Sequence, residues 1–254
     1  MGARLGSGNV NNGVWAPVSV LRNKAGEITD KYPHFGNDRG KPGSLIVNLE
    51  GKRFVNEAAP YQVFVNAMHD QQVHKAWFIG DYAFIRDYGM GLALPGLPYK
   101  SLIRDGYLIE GATIAELAEK ISVNPAALAS TVSRFNEAAK EGGDPEFGRG
   151  STIYDHSQGD FGHNTPNLRP IGEGPYYAVA LCPGDVSTVL GLVTDENGQV
   201  LDAAGDPISG LYAVGLDQNT VMRGFYPGGG AGIGPAMTFA YRAAQQIVRL
   251  PARQ

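Results

Sequence analysis

The feature that most constrains the fold of this chain is a glycine-rich run near its C-terminus, residues 226–239 (Tyr-Pro-Gly-Gly-Gly-Ala-Gly-Ile-Gly-Pro-Ala-Met-Thr-Phe). Apolar residues recur at helical spacing after the glycines and predict a helix over residues 231–249. Residues 210–215 precede the run and predict a short buried strand. Glycines between a strand and a helix let the backbone approach a flat ligand, and the helix start adds N–H groups and partial positive charge. This order predicts a ligand site, with a glycine turn used only for tight packing as the alternative.

The spacing of these glycines is not the usual dinucleotide-binding fingerprint. Gly228, Gly230, Gly232 and Gly234 each alternate with one other residue. The fingerprint instead requires GxGxxG at the first strand–helix turn of a βαβ unit, with an acidic residue about 20 positions later. No such match opens the chain.

Composition argues against several other classes of function. The 254 residues carry a formal net charge of −4 and no basic stripe, so we expect no nucleic acid partner. No apolar run reaches the roughly 18 residues that span a bilayer. The single Cys182 rules out internal disulfides and fits a reducing cytoplasm. The five histidines lack metal-ligand spacing, so we expect no metal site.

Local patterns predict most of the remaining elements. Thr113 and Glu116 form a capping box and Asn124-Pro125 is typical of a helix start, so we expect two helices over residues 113–139 that serve as scaffold. Asn197-Gly198 between two apolar pairs predicts a hairpin. The other expected elements are a turn at 11–13, a hairpin at 44–55, a helix at 60–72, a strand at 77–79, a helix from Asp81 to Tyr88, a loop over 141–175, and strands at 176–181 and 190–194.

Two long motifs carry a resemblance to a known family. Residues 51–61 (Gly-Lys-Arg-Phe-Val-Asn-Glu-Ala-Ala-Pro-Tyr) resemble a catalytic-domain motif that is shared with fumarate reductases. Residues 210–239 resemble the closing FAD-binding segment of 3-ketosteroid dehydrogenases. The chain is therefore similar to the C-terminal part of an FAD-dependent oxidoreductase of the 3-ketosteroid dehydrogenase and fumarate reductase flavoprotein superfamily.

The resemblance implies a mixed α+β and α/β fold, in which a partial, Rossmann-like FAD-binding domain is interrupted by an inserted α+β catalytic cap. By this analogy residues 1–21 and 188–254 belong to the FAD-binding domain, and residues 22–187 form the cap. We expect Arg53, Asn56 and Glu57 to hold a hairpin of the cap together by ion pairs and hydrogen bonds. Family members begin with a βαβ unit that binds the ADP half of FAD, so the resemblance also implies a missing N-terminal segment.

The resemblance assigns roles to individual residues. Tyr61 matches the tyrosine that removes a proton beside the substrate ketone, and Tyr226 with the N–H of Gly230 matches the pair that binds the ketone oxygen. Asp217 matches a position near the ribityl chain. From the residues alone, Tyr61 also fits a half-buried aromatic after a turn, Tyr226 a packing aromatic, and Asp217 a turn or helix cap. The residues expected to bind FAD are Gly215, Asp217, Gly228, Gly229, Gly230, Ala231, Gly232 and Ile233.

These roles imply an FAD-dependent dehydrogenase acting on CH–CH groups of a 3-keto steroid or a similar cyclic ketone, with an electron acceptor that the residues do not indicate. A hydride would pass to flavin N5 while Tyr61 helps to remove a proton from the adjacent carbon. A phenol with an ordinary pKa of about 10 is a weak base at neutral pH, and the family supplies a second tyrosine from the segment absent here. One alternative is a fumarate-reductase-like reductase of activated double bonds. The fumarate reductase branch has an arginine at the position of Tyr61, so the tyrosine argues against this alternative. Another is an inactive fragment.

Overall fold

The computed structural model describes residues 2–7, 13–36 and 38–249, so Asn11 and Asn12 of the predicted first turn lie outside the described residues. The described chain mixes strands and helices, as predicted. In chain order the elements are β1 (Gly13–Arg22), β2 (Ile28–Pro33), β3 (Ser44–Val47), α1 (Tyr61–Asp70), β4 (Ala76–Asp81), α2 (Tyr82–Tyr88), α3 (Lys100–Arg104), β5 (Leu108–Gly111), α4 (Ile114–Lys120), α5 (Pro125–Lys140), α6 (Ile153–Gln158), β6 (Tyr176–Thr188), β7 (Gln199–Leu201), β8 (Pro207–Tyr212) and α7 (Ile233–Arg249).

The chain divides into two compact units. Unit 1 consists of Met1–Trp15 and Asp185–Gln254, and unit 2 consists of Ala16–Gly184. The chain passes from unit 1 to unit 2 inside β1 and returns inside β6. The sequence-based boundaries at residues 21/22 and 187/188 fall in the same two strands, and the role of the inserted segment as a catalytic cap stays a prediction.

Unit 2 is built on an antiparallel sheet whose described strands lie in the order β2, β1, β6, β4 and β3, with β5 also paired to β6. The first half of β6 lies between two strands, since Ala178 pairs with Ile79 of β4 and with Ile109 of β5. β3 and β4 are buried along their whole length. Continuous apolar runs are typical of strands covered on both faces, which explains why these two segments show no alternation of polar and apolar residues.

Side-chain caps set three helix starts in unit 2. Asp81, Thr113 and Asn124 each accept a hydrogen bond from the backbone N–H three residues later, at 2.7, 3.1 and 3.0 Å. Pro125 then occupies the first turn of α5, where its missing N–H costs nothing. Each cap contributes about 1 kcal/mol by pairing an N–H that the helix leaves open. The predicted starts of α2, α4 and α5 are therefore confirmed.

One hydrophobic core cluster of unit 2 lies between the sheet and the α4–α5 pair. Leu117 of α4 and Leu128 of α5 are fully buried in it. Burial of a large apolar side chain contributes about 1.5–3 kcal/mol, so this layer supplies much of the stability of the unit. The core residues are Leu45, Val47, Trp77, Ile79, Leu117, Ala118, Ile121, Val123, Leu128, Val132, Phe135, Ala139, Leu168, Ile171 and Ala178.

Three predicted elements need correction. Residues 53–55 do not return as a strand beside β3, whose partner is β4, because side chains take up backbone groups of β3. Glu57 accepts from the N–H of Ile46 at 3.2 Å, and Arg149 donates to the carbonyl of Ser44 at 2.8 Å. Residues 190–194 form only isolated bridges, at Leu192 and Thr194. The strand expected over 210–215 is instead β8, which is largely exposed. The long loop after α5 also contains the short helix α6, capped by Thr152.

Unit 1 is held together by short backbone ladders. The N–H of Arg4 donates to the carbonyl of Leu201 at 2.9 Å, and the N–H of Val193 donates to the carbonyl of Arg4 at 2.8 Å. Leu192 pairs in parallel with Gln218. The turn predicted at Asn197-Gly198 forms between residues 195 and 199, and β7 and β8 pair as a two-stranded antiparallel sheet. The predicted C-terminal helix is confirmed as α7.

Candidate functional site

The glycine loop of unit 1 has a backbone that only glycine adopts readily. Gly228 has φ 148° and Gly230 has φ 93°, both in the left-handed range. A Cβ built on Gly229 or Gly230 meets nothing within 4 Å, so the loop leaves open space beside its backbone. These positions therefore combine backbone geometry with room for a group to approach closely.

The start of α7 follows the loop directly. The N–H of Ala231 donates to the carbonyl of Gly228 at 3.3 Å, and the N–H of Gly234 donates to the carbonyl of Gly230 at 2.9 Å. The ring of Tyr226 lies close to the same turn, because a Cβ built on Gly232 would be 4.0 Å from Cε2 of Tyr226. The loop thus holds Tyr226, Gly230 and the first residues of α7 in one place.

The segment between β8 and the loop also reaches α7. Gly215 has φ 66°, and a Cβ built on it would lie 3.6 Å from the Cβ of Ala236 in α7. The carbonyl of Asp217 accepts the N–H of Leu192 at 2.7 Å, while its carboxylate is exposed. The predicted cofactor residues from Gly215 to Ile233 therefore all belong to unit 1.

This arrangement fits the isoalloxazine part of a flavin. A flat ring needs a backbone without side chains beside it, which Gly229 and Gly230 provide. The N-terminal end of a helix favours negative charge on a ligand placed there. The exposed carboxylate of Asp217 is a hydrogen-bond acceptor for hydroxyl groups. The chain shows no comparable glycine loop for the phosphates of a dinucleotide in the ranges that the structure describes.

Tyr61 is the first residue of α1 in unit 2 and is only 9% exposed. Its ring packs edge-on against Phe35, with ring centroids 4.9 Å apart and an interplanar angle of 65°. Pro60 precedes it at the helix N-cap. Tyr226 and Gly230 belong to unit 1, whereas Tyr61 belongs to unit 2.

The residues just before Tyr61 belong to a buried ionic cluster. Arg53 donates from Nε and Nη2 to Glu57 at 2.7 Å each, and from Nη1 and Nη2 to Asp144 at 2.9 and 2.8 Å. Arg149 lies 3.3 Å from the same Glu57 carboxylate. The prediction that Arg53 and Glu57 hold this region by ion pairing is confirmed, and Asn56 adds a 3.0 Å hydrogen bond to Asp155.

Burial and charge act in opposite directions in this cluster. Burial by itself raises the pKa of Glu57, but attraction to Arg53 and Arg149 outweighs it and lowers that pKa below its ordinary value. The same balance between burial and Arg53 lowers the pKa of Asp144. Burial lowers the pKa of the nearby Arg39 to about 10. Because the cluster fixes the chain on both sides of Glu57, it also fixes where α1 begins.

Sequence reasoning missed a second buried polar group in unit 2. Ser19, His34, Asp38 and Tyr107 are joined by hydrogen bonds although Ser19 and Tyr107 are 88 positions apart. The only local signal is the spacing of four between His34 and Asp38. Residues this far apart in sequence carry no joint pattern that a single chain reveals.

The described residues contain neither a candidate metal site nor a candidate membrane-spanning helix. Within residues 2–7, 13–36 and 38–249, acidic, histidine and cysteine side chains form no group of three that could hold a metal ion. None of the helices in these ranges combines the length and hydropathy needed to cross a bilayer.

Comparison with known proteins gives a consistent result. The family described as FAD binding domain matches residues 1–233. A 4-oxocyclohex-2-ene-1-carboxylate 5-dehydrogenase of Sinomonas cyclohexanicum is 42% identical over 98% of this chain and 43% of its own length. A 3-oxosteroid 1-dehydrogenase of Mycobacterium tuberculosis is 39% identical over 92% of this chain and 42% of its own length.

A solved structure agrees with the sequence relatives. The 3-ketosteroid Δ1-dehydrogenase of Sterolibacterium denitrificans, crystallised with 1,4-androstadiene-3,17-dione, superposes with a TM-score of 0.86 at 37% identity. The match covers 97% of this chain and 44% of that protein. The chain thus spans less than half the length of the relatives that it matches.

Proposed function

This chain belongs to the FAD-binding family of flavoprotein oxidoreductases that includes the 3-ketosteroid dehydrogenases, and we propose that it contributes the flavin-ring site and the proton-abstracting tyrosine of a dehydrogenase acting on six-membered cyclic ketones. The cofactor of the family is FAD. Both curated relatives are named for an oxo group on such a ring, in one case within a steroid and in the other on a single carboxylated ring. The shared chemistry is the introduction of a double bond beside a ketone.

Unit 1 would hold the flavin ring. Gly228, Gly229 and Gly230 present bare backbone, the first turn of α7 places helix N–H groups nearby, and the Asp217 carboxylate accepts ribityl hydroxyl groups. FAD, when bound, supplies the acceptor for the hydride that leaves the substrate. Partial positive charge at the start of α7 favours the negative charge that the reduced ring carries.

Tyr226 and the N–H of Gly230 would bind the ketone oxygen. A hydroxyl and an amide that both donate to one carbonyl withdraw charge from the adjacent carbon and make its C–H bond more acidic. Removing one such donor typically costs about 10²–10³ in rate. The proximity of Tyr226 to the glycine turn supports this pairing.

Tyr61 would take the proton from the carbon beside the ketone. The ring is only 9% exposed and packs edge-on against Phe35, and these contacts restrict its motion. A held ring reduces the entropy lost when base and substrate meet, an effect that accounts for several kcal/mol in well-oriented reactions.

The observation that carries this proposal is the glycine loop with Gly230 at φ 93° and open space at its Cβ, placed directly before a 17-residue helix. The first experiment is the visible absorbance spectrum of the purified chain after FAD is added and the mixture is passed through gel filtration. Flavin absorbance that elutes with the protein supports a flavin-ring site within these residues. If neither the chain nor the whole protein retains flavin, the proposed role of the loop is wrong.

The second experiment tests Tyr61 in the protein that carries bound FAD. We expect Tyr61→Phe to keep the flavin absorbance and to reduce turnover of 3-keto steroids and 4-oxocyclohexanecarboxylates by at least about a hundredfold, the range of a lost general base. Tyr82→Phe is the matched control, because Tyr82 is also the first residue of a helix in unit 2 but is 46% exposed. Equal turnover of the two variants would exclude Tyr61 as the base.

A further inference from the structure

Four buried polar side chains from separate segments of unit 2 form one continuous hydrogen-bonded chain. The Tyr107 hydroxyl lies 2.6 Å from Ser19 Oγ. Ser19 Oγ lies 2.7 Å from His34 Nε2, and His34 Nδ1 lies 2.7 Å from Asp38 Oδ2. Ser19 comes from β1, His34 and Asp38 from the segment after β2, and Tyr107 from the residue before β5. We call this set the Ser–His–Asp–Tyr chain.

The order of groups in this chain is that of a hydrolytic triad, but its burial excludes that use. Ser19 and His34 are 0% exposed, Asp38 is 2% exposed and Tyr107 is 5% exposed. A nucleophile must reach its substrate, and a hydroxyl sealed inside the fold cannot. Buried polar groups are costly unless they are paired, and each of these four groups has a partner within the set.

One proton arrangement satisfies every group of the Ser–His–Asp–Tyr chain. Burial raises the pKa of Asp38, but its interaction with His34 and the hydrogen bonds from the N–H groups of Gly91 and Arg39 outweigh burial and lower that pKa, so Asp38 is ionised. A carboxylate only accepts, so His34 donates from Nδ1. At the other end the N–H of Leu92 donates to the Tyr107 oxygen at 2.9 Å. When the Tyr107 hydroxyl donates to Ser19 Oγ and Ser19 donates to Nε2 of His34, every polar proton of the Ser–His–Asp–Tyr chain has an acceptor within the set.

The chain fixes the backbone around Phe35. His34 and Asp38 lie on either side of it in sequence, and Arg39 closes the loop by donating to the carbonyls of His34 at 2.7 Å and Phe35 at 3.2 Å. The turn at Gly91 lies directly against this loop, because a Cβ on Gly91 would lie 3.2 Å from Cε1 of His34. The ring that this loop presents is the one that packs on Tyr61.

We propose that the Ser–His–Asp–Tyr chain is a positioning device that sets the orientation of the Tyr61 ring through Phe35. Ser19, His34, Asp38 and Tyr107 are then positioning residues rather than catalytic ones, since none of them reaches the surface where a substrate binds. This inference rests on the proposed role of Tyr61 as the base.

The test places 3-fluorotyrosine at position 61 of the whole protein and records its ¹⁹F NMR resonance. Phe35→Leu provides the reference shift for loss of the ring contact. We expect Tyr107→Phe and Asp38→Asn to move the resonance in the same direction as Phe35→Leu. Tyr88→Phe is the matched control. It also removes a partly buried tyrosine hydroxyl that donates a 2.6 Å hydrogen bond, in this case to Asp160, but Tyr88 is not a member of the Ser–His–Asp–Tyr chain. We expect no shift from it.

Tyr107→Phe removes one hydroxyl and no charge, so it keeps the test open if Asp38→Asn does not fold. The proposal is overturned if the resonance moves in Phe35→Leu but does not move in a folded Tyr107→Phe variant. The Ser–His–Asp–Tyr chain would then have only a structural role. The same result would follow if Tyr88→Phe moved the resonance as much as Tyr107→Phe.

Turnover separates this inference from the proposed function. In the FAD-loaded protein we expect Tyr107→Phe to lower kcat about tenfold with little change in KM, as expected when a catalytic group is misplaced but substrate contacts are kept. If Tyr61→Phe retains full turnover, the proposed function fails whatever the ¹⁹F result. If Tyr61→Phe is inactive and Tyr107→Phe keeps normal kcat, only the positioning role fails.

Discussion

The buried ionic cluster before α1 allows a sharp prediction for Glu57→Gln. Glu57 is 0% exposed, accepts two hydrogen bonds of 2.7 Å from Arg53, and lies 3.3 Å from Arg149. In the native cluster two guanidinium groups face the buried carboxylates of Glu57 and Asp144, and the exposed carboxylate of Glu146 lies 3.6 Å from Arg53. The substitution keeps the shape of the side chain and removes one negative charge.

The expected cost follows from what remains. Arg53 would keep its ion pair with Asp144, whereas Arg149 would lose its ion pair with Glu57, and both guanidinium groups are at most 1% exposed. Removing one partner of a buried ion pair typically costs about 3–5 kcal/mol, because the other charge is left uncompensated away from water. For a folding unit of this size, each kcal/mol lowers Tm by about 2–4 °C, so we expect Tm to fall by about 6–20 °C.

The assay is urea denaturation followed by circular dichroism, with thermal melting as a second measure. The matched control is Glu50→Gln, which is the same substitution in the exposed pair of Glu50 with Lys52, 3.0 Å apart with side chains 70% and 64% exposed. Exposed pairs contribute about 0–1 kcal/mol, so we expect almost no change. If Glu57→Gln loses no more stability than Glu50→Gln, apolar packing and not charge holds this region, and the reasoning is refuted.

Three further predictions address pH, the cofactor loop and a helix cap. The folded pKa values of Glu57 and Asp144 are lowered, so their contribution is full above the unfolded values of about 4.3 and 3.9 and is lost as pH falls through the folded values. Urea denaturation at a series of pH values should therefore show a steeper acid decline for the native protein than for Glu57→Gln, and equal slopes would contradict the assignment. We expect Gly230→Val to reduce the flavin content of the purified protein at least tenfold, whereas Gly205→Val, at φ 94° with equally open space in unit 1, leaves it unchanged; equal flavin loss would point to backbone strain instead of ligand contact. Asn124→Ala should lower the free energy of unfolding by about 1 kcal/mol through loss of the α5 cap, and an unchanged urea midpoint would count against that cap.

Local chemistry explains which parts of the fold were predictable. The caps at Asp81, Thr113 and Asn124 act over three residues, so the sequence alone locates those helix starts. The strand expected at residues 53–55 failed because charged side chains take up backbone groups of β3, among them Arg149, which is 105 positions away from its partner Ser44. A local strand pattern cannot report such a contact, and tertiary charge pairing overrides it.

The candidate site was predictable to the same extent. The glycine loop and the start of α7 are encoded by one continuous stretch of sequence. The positive φ values at Gly228 and Gly230 agree with the prediction that this backbone requires glycine. The packing of Tyr61 on Phe35 and the hydrogen bonds of the Ser–His–Asp–Tyr chain were not predictable, because they join segments that are far apart in sequence. Motifs thus indicated which residues to consider, while the residues that hold them in place depend on the folded chain.

The two crossings between the units lie side by side, and this has a consequence for how such a protein can change. β1 and β6 are neighbours in the sheet, and a Cβ on Gly184, the last residue of unit 2, would lie 3.4 Å from the carbonyl oxygen of Ala16, the first. A segment whose ends meet can be added to or removed from a host chain with little loop-closure entropy. Residues 16–184 are therefore a natural unit for grafting: exchanging them between relatives would transfer Tyr61 and its supports in one piece and leave the glycine loop unaltered.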